Sequence, residues 1–88
     1  MTDADSLFKQ GEEIINEGRY KEAEPYFRKV IELHPDHAEA WNSLAIVLLK
    51  QDRYDEAEQA FRKLIEIRPE FTEVLMKEIQ RISDRKPK

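Results

Sequence analysis

One stretch of this sequence occurs twice. When the chain is laid on itself with a shift of 34, Arg19 to Pro35 and Arg53 to Pro69 are identical at 11 of 17 positions. Several of the differences are conservative, such as Val30 against Leu64. Chance does not produce this agreement. What one copy forms the other must form too, and a unit recurring at such a period is a supersecondary element that buries its apolar face by stacking on its neighbour. The second copy closes the one complete unit, Ala38 to Pro69. There Trp41, Leu44, Ala45 and Leu48 are spaced for one face of a helix, and Ala57, Phe61, Leu64 and Ile65 for one face of a second. Asp52-Arg53-Tyr54 turns between them, and Pro69 ends the unit.

Taken in order, the chain reads as five helices. Thr2-Asp3-Ala4-Asp5-Ser6 offers capping oxygens, and its acids suit the positive end of a helix running from about Ala4 to Glu17. The apolar residues of that helix, Leu7, Phe8, Ile14 and Ile15, are few and separated by polar ones, and Gly18 supplies the left-handed residue that ends it. A second helix, about Lys21 to His34, buries Ala23, Phe27, Val30 and Ile31, with Pro25 early enough to be tolerated. Asp36 with Glu39 forms a capping box for the third helix, about Ala38 to Lys50. That helix is apolar around most of its circumference and is therefore central. The fourth, about Asp55 to Arg68, repeats the second, and a fifth runs from about Thr72 to Asp84. The basic tail, residues 85–88, is expected to fray.

The pattern Trp41-x-x-Leu44-Ala45-x-x-Leu48, then Ala57-x-x-x-Phe61, then Pro69, resembles the tetratricopeptide repeat. Gly11 with Ala23, and Ala45 with Ala57, place small residues where the helices of a unit approach closely, while Phe27 and Phe61 fill the wedge to the next unit. Leu7 stands where the family prefers tryptophan, and Ile14 and Leu48 where it prefers tyrosine. The resemblance implies an all-α fold, a right-handed superhelical array of antiparallel helix pairs. It divides the single domain into a first repeat at about 4–37, a second at about 38–71 and a capping helix at about 72–84. In that last helix Leu75, Ile79 and Ile82 continue the inward face of Trp41, Ala45 and Leu48, while Glu78, Gln80 and Arg81 replace Leu44, Ile46 and Val47.

Composition narrows the function. The 15 basic and 19 acidic residues are interspersed, for a net charge of −4, and form no basic stripe for a phosphate backbone, so nucleic acid is not an expected partner. No apolar run reaches membrane-spanning length and the acidic start carries no signal-peptide core, which points to a cytoplasmic protein or a module of one. With no cysteine there are neither thiolate metal sites nor thiol catalysis. His34 and His37 have a spacing that could hold a metal, but Arg68 and Phe71 occupy the matching places in the second copy, and ordinary turn histidines explain them. Glu24 with Arg28, and Glu58 with Arg62, read as exposed pairs four residues apart rather than as acid and base. Ser6, Ser43 and Ser83 have no histidine placed to activate them, and there is no glycine-rich phosphate loop. No enzyme activity, cofactor or metal is expected.

In the family resembled here, the first helices of the units line a concave groove. Ala4 to Gly18 and Ala38 to Asp52 share only their alanine, so the divergence falls where a ligand would be read, unless the first helix is polar simply because it is terminal. Family members that grip the acidic tails of heat-shock chaperones carry lysine, arginine and asparagine at places held here by Phe8, Glu12, Ser43, Glu73 and Lys77. Only Lys77 has suitable chemistry, so that clamp is not present. Phe8, Ile15, Ile46, Leu49 and Met76 put apolar surface in the groove, interleaved with Lys9, Asn42 and Lys50, which suits an apolar peptide or amphipathic helix. Leu49 also fits a packing role between first helices. Two functions stand: a protein-binding module using the groove, or a self-associating element, a homodimer through the groove or an open repeat end, since two repeats fall short of the usual three.

Overall fold

A computed structural model describes residues 3–87 of the chain; of the sequence-based expectations, the capping role of Thr2 and the end of the tail at Lys88 lie outside them. The described residues form α1 (Ala4–Asn16), α2 (Tyr20–Leu33), α3 (Ala38–Lys50), α4 (Tyr54–Ile67), a 3-10 turn (Pro69–Phe71) and α5 (Thr72–Arg85), with no strand. α1 packs on α2, α2 on α3, α3 on α4 and α4 on α5. Side-by-side stacking of two hairpins and a last helix makes a slab of 43 × 27 × 17 Å.

The two intra-repeat turns are built alike. Gly18 has φ 77° and Asp52, its counterpart, φ 59°. Each lets the chain end a helix with two bonds from beyond its last turn: Arg19 N–H to Ile14 O and Gly18 N–H to Ile15 O, then Arg53 N–H to Leu48 O and Asp52 N–H to Leu49 O. A glycine takes this conformation freely. Asp52 tolerates it as one of the few side chains that visit the left-handed region, and its carboxylate accepts from the Tyr54 hydroxyl. α2 continues through Pro25, which has no N–H to give the carbonyl of Lys21 four residues back.

The core follows the repeat. Phe27, Val47 and Leu48 are sealed, and one apolar cluster runs from Ala23 and Phe27 through Leu44, Ala45, Phe61 and Leu64 to Leu75, Ile79 and Ile82. α1 lies so close to α2 that a Cβ on Gly11 would sit 2.8 Å from two carbons of the Phe27 ring. The Phe8 ring meets the same phenylalanine edge-on, at 5.7 Å between centroids.

Four expectations need correction. Trp41 is only partly buried: its indole N–H must find an acceptor and does so at the Pro35 carbonyl (2.8 Å), leaving an edge of the ring at the surface between α2 and α4. The cap of α3 is His37, whose Nδ1 accepts from the Ala40 N–H at 3.1 Å, and not Asp36, which lies one residue too early in the turn. Glu58 does not bond Arg62 but Lys86, at 2.7 Å, and Lys86 also reaches Asp55. The tail therefore does not fray at Arg85: α5 continues to it, and its guanidinium lies 5.7 Å over the Tyr54 ring, as the Lys50 ammonium lies over Tyr20.

The pairing that joins the repeats is centred on Glu24, whose side chain is 12% exposed. It accepts from Arg28 (2.8 Å), as the spacing predicts, but also from Arg53 (2.6 Å) and Gln51 (3.1 Å) of the next unit, and Arg53 in turn holds Glu56. Burial pushes the Glu24 carboxyl upward, but the three hydrogen bonds together outweigh it and hold the pKa below the ordinary value. The charged form thus contributes stability that is complete above about pH 4.5 and is lost as pH falls through the depressed folded value. Thermal melts of Glu24→Gln should accordingly lose less stability below that pH than the wild type does. At neutral pH, Arg53→Ala should cost roughly 1–3 kcal/mol by denaturant titration, because it strips a charged bond from a largely buried carboxylate. Equal acid limbs for wild type and Glu24→Gln would show that Glu24 is not the group that titrates.

Candidate functional site

Helical spacing sets two rows of side chains on one side of the slab. On α1, Phe8, Glu12 and Ile15 succeed one another at four and three residues; on α3, Glu39, Ser43 and Ile46 do the same, with Asn42 beside Ser43 and three residues from Glu39. The first members of each row line an open cleft of ≈ 530 Å³. Phe8 and Glu12 come from α1, and Ala38, Glu39, Asn42 and Ser43 from α3. Leu64 and Arg68 enter from the end of α4, and Phe71, Val74 and Leu75 from the 3-10 turn and the start of α5. Phe8 is anchored rather than loose, since its ring is wedged between Phe27 and His37.

The cleft is apolar in its floor and acidic at its mouth. Glu12 and Glu39 are exposed and have no ion-pair partner among the described residues, whereas Arg68 stands 3.7 Å from Glu70. Val74 is 61% exposed and Phe71 49%, large apolar surfaces left to water at the rim. Farther along α3, Ile46 is 36% exposed, and Leu49 lies half-buried in a second hollow with Glu78, Arg81 and Ile82 of α5.

Of the residues expected in a groove, Phe8, Glu12, Asn42 and Ser43 meet in the cleft. Ile15 and Leu49 pack in part against the core, which accords with the second reading of Leu49. Lys9 is exposed beside Phe8 but does not line the cleft. Met76 and Lys77 are exposed on α5 and do not line it either, because α5 turns Val74 and Leu75 to the cleft instead, beside Phe71 of the 3-10 turn. Lys77 stands 3.9 Å from Glu73. Sequence reasoning missed Ala38, Glu39, Leu64, Arg68, Phe71, Val74 and Leu75 as lining residues, and read Glu39 only as part of a helix cap. The available signal was two apolar residues, Phe71 and Val74, off the inward stripe of the last helix and unexplained by its packing.

The turn between the repeats brings His34, Asp36 and His37 beside Asp3 and Asp5. His37 already accepts a backbone hydrogen bond through Nδ1, and among the described residues no group of three or more candidate ligands is placed to hold a metal. Nor is any helix of the described residues long and apolar enough to cross a membrane.

A family model described as tetratricopeptide repeat matches residues 8–70. An uncharacterized protein of Methanocaldococcus jannaschii, MJ0572, is 40% identical over 45 residues, which is 51% of this chain and 52% of that protein. The chain thus spans about half the length of the curated relative it matches.

Proposed function

The chain belongs to the tetratricopeptide repeat family, a non-catalytic repeat family that generally mediates contacts between proteins, and from that premise we propose that it holds a segment of another protein in the groove between α1, α3 and α5. The observation that carries the reading is the open cleft with an apolar floor, continued along α3 by the solvent-facing Ile46. An amphipathic helix lays its apolar face into such a groove, and anchors such as an inserted aromatic or aliphatic side chain supply most of the affinity. In this reading the module acts by holding and not by catalysis, in the cytoplasm, without cofactor, metal, nucleic acid or membrane. The two large apolar residues at the rim, Phe71 and Val74, also suit the alternative, a homodimer through the same face.

Ile46→Asp separates these readings. The side chain is exposed in the free protein, so the melting transition should move little, within about 0.5 kcal/mol. Affinity for a partner recovered by pull-down and titrated with the purified chain should fall strongly, since a charge desolvated inside an interface is uncompensated. Phe8→Ala should weaken binding too, whereas Lys63→Ala, on the opposite face and paired with Glu66, should not. An Ile46→Asp chain that unfolds would place Ile46 in the core and remove the support for the groove. A concentration-dependent dimer in sedimentation, abolished by the same substitution, would favour self-association.

A further inference from the structure

We infer that the segment held in the cleft is cationic and amphipathic, an apolar anchor flanked by lysine or arginine side chains; this rests on the groove reading above. The charges at the mouth point to it. Glu12 on α1 and Glu39 on α3 flank the apolar floor from two different helices, and neither has an ion-pair partner among the described residues. Among the described residues the one cation lining the cleft is Arg68, which has Glu70 beside it at 3.7 Å. Of the other cations nearby, Lys9 lies outside the lining, and Lys77 stands 3.9 Å from Glu73.

An occupant that covers these carboxylates without bringing a cation strips water from two negative charges and offers nothing in return. One that brings lysine or arginine compensates both. The gain per exposed pair is small, but the difference between matched and mismatched occupants adds the repulsion of the wrong partner to the attraction of the right one, so the pair of glutamates acts chiefly as a filter. The apolar floor supplies affinity to either. A second copy of this chain is a poor occupant on the same ground: each copy carries a net charge of −4.

The test uses the full chain and two synthetic helical peptides, one of leucine and lysine in an amphipathic pattern and one with glutamate in place of every lysine, titrated calorimetrically. The lysine peptide should bind about tenfold or more tightly than the glutamate peptide, with the difference shrinking as salt is raised. In the Glu12→Gln/Glu39→Gln double variant, whose two positions are exposed and unpaired, the two affinities should converge. Val74→Ser, which removes apolar surface at the rim, should weaken both peptides together. Equal affinity of the wild type for the two peptides would overturn the charge inference and leave the groove reading standing. Unchanged binding of both by Val74→Ser would overturn the groove reading itself. Binding of a plain oligolysine as tight as that of the leucine–lysine peptide would reduce the interaction to unspecific charge and also overturn the inference, as would a dimer in sedimentation that Val74→Ser dissociates.

Discussion

Deletion of Thr72 to Lys88 is expected to lower the melting temperature by roughly 20 °C or more, or to abolish the cooperative transition at room temperature. Leu75, Ile79 and Ile82 are all buried, and a fully buried aliphatic side chain contributes roughly 1.5–3 kcal/mol. The same deletion uncovers the face of α4 on which they lie. Releasing the helix from its ordered state returns conformational entropy and offsets part of this loss. A net loss of several kcal/mol is still a large fraction of what a small domain possesses, about 5–15 kcal/mol. Removing Arg85 to Lys88 alone should cost less, roughly 1–3 kcal/mol, because it takes away a stacked cation and the ion pairs of Lys86 with the exposed Asp55 and the largely buried Glu58 but none of the apolar stripe. A truncated chain without residues 72–88 that melts at the wild-type temperature would show that α5 does not cover the second repeat.

Phe27→Ala should cost about 3–5 kcal/mol, as expected when a fully buried aromatic ring leaves a cavity that its surroundings cannot close. The more discriminating measurement is its coupling to Gly11. Alanine is the better helix former by about 1 kcal/mol, so Gly11→Ala would stabilise an ordinary helix. Here the added Cβ would stand 2.8 Å from two carbons of the Phe27 ring, which is sealed on all sides and cannot withdraw. Overpacking of this kind typically costs about 1–3 kcal/mol, and should leave Gly11→Ala destabilising in the wild type. In the Phe27→Ala background the obstacle is gone, and the same substitution should become neutral or stabilising. That reversal of sign, read from denaturant midpoints of the four chains, measures the close approach of α1 to α2. Additive effects would mean that the two helices do not meet at Gly11.

The site was less legible than the scaffold, and particular residues show why. Phe8, Glu12, Asn42 and Ser43 could be placed because the resemblance to the tetratricopeptide repeat implies that the first helices of the units line the groove. Phe71 and Val74 could not, because they belong to the 3-10 turn and the start of the last helix, whose rotation against α3 and α4 depends on how Pro69 to Phe71 is wound. Met76 and Lys77 were expected in the groove by extending the repeat's numbering into a helix that is no longer a full repeat. Once the small residue of the inter-helix contact is replaced by Ile79, nothing in the pattern holds α5 to the same orientation.

By itself the sequence determined the unit and its stacking. The shift of 34 that superposes Arg19–Pro35 on Arg53–Pro69 specifies two copies of one hairpin, and glycine or aspartate at 18 and 52 specifies where each turns, because these are choices made by residues near one another in the chain. Tertiary structure decided which long side chain meets which. Glu24 and Glu58 occupy the same place in their repeats, yet one is held by Arg28, Arg53 and Gln51 and the other by Lys86. The partner that spacing alone offers is the same for both, Arg28 for one and Arg62 for the other. A flexible charged side chain pairs with whatever a distant element brings within reach, and the element that follows the first repeat is a second repeat, while the one that follows the second is α5. The cleft has the same origin: Phe8, Ser43 and Val74 become neighbours only when helices far apart in sequence are stacked, and the acidity of its mouth is a property of that stack.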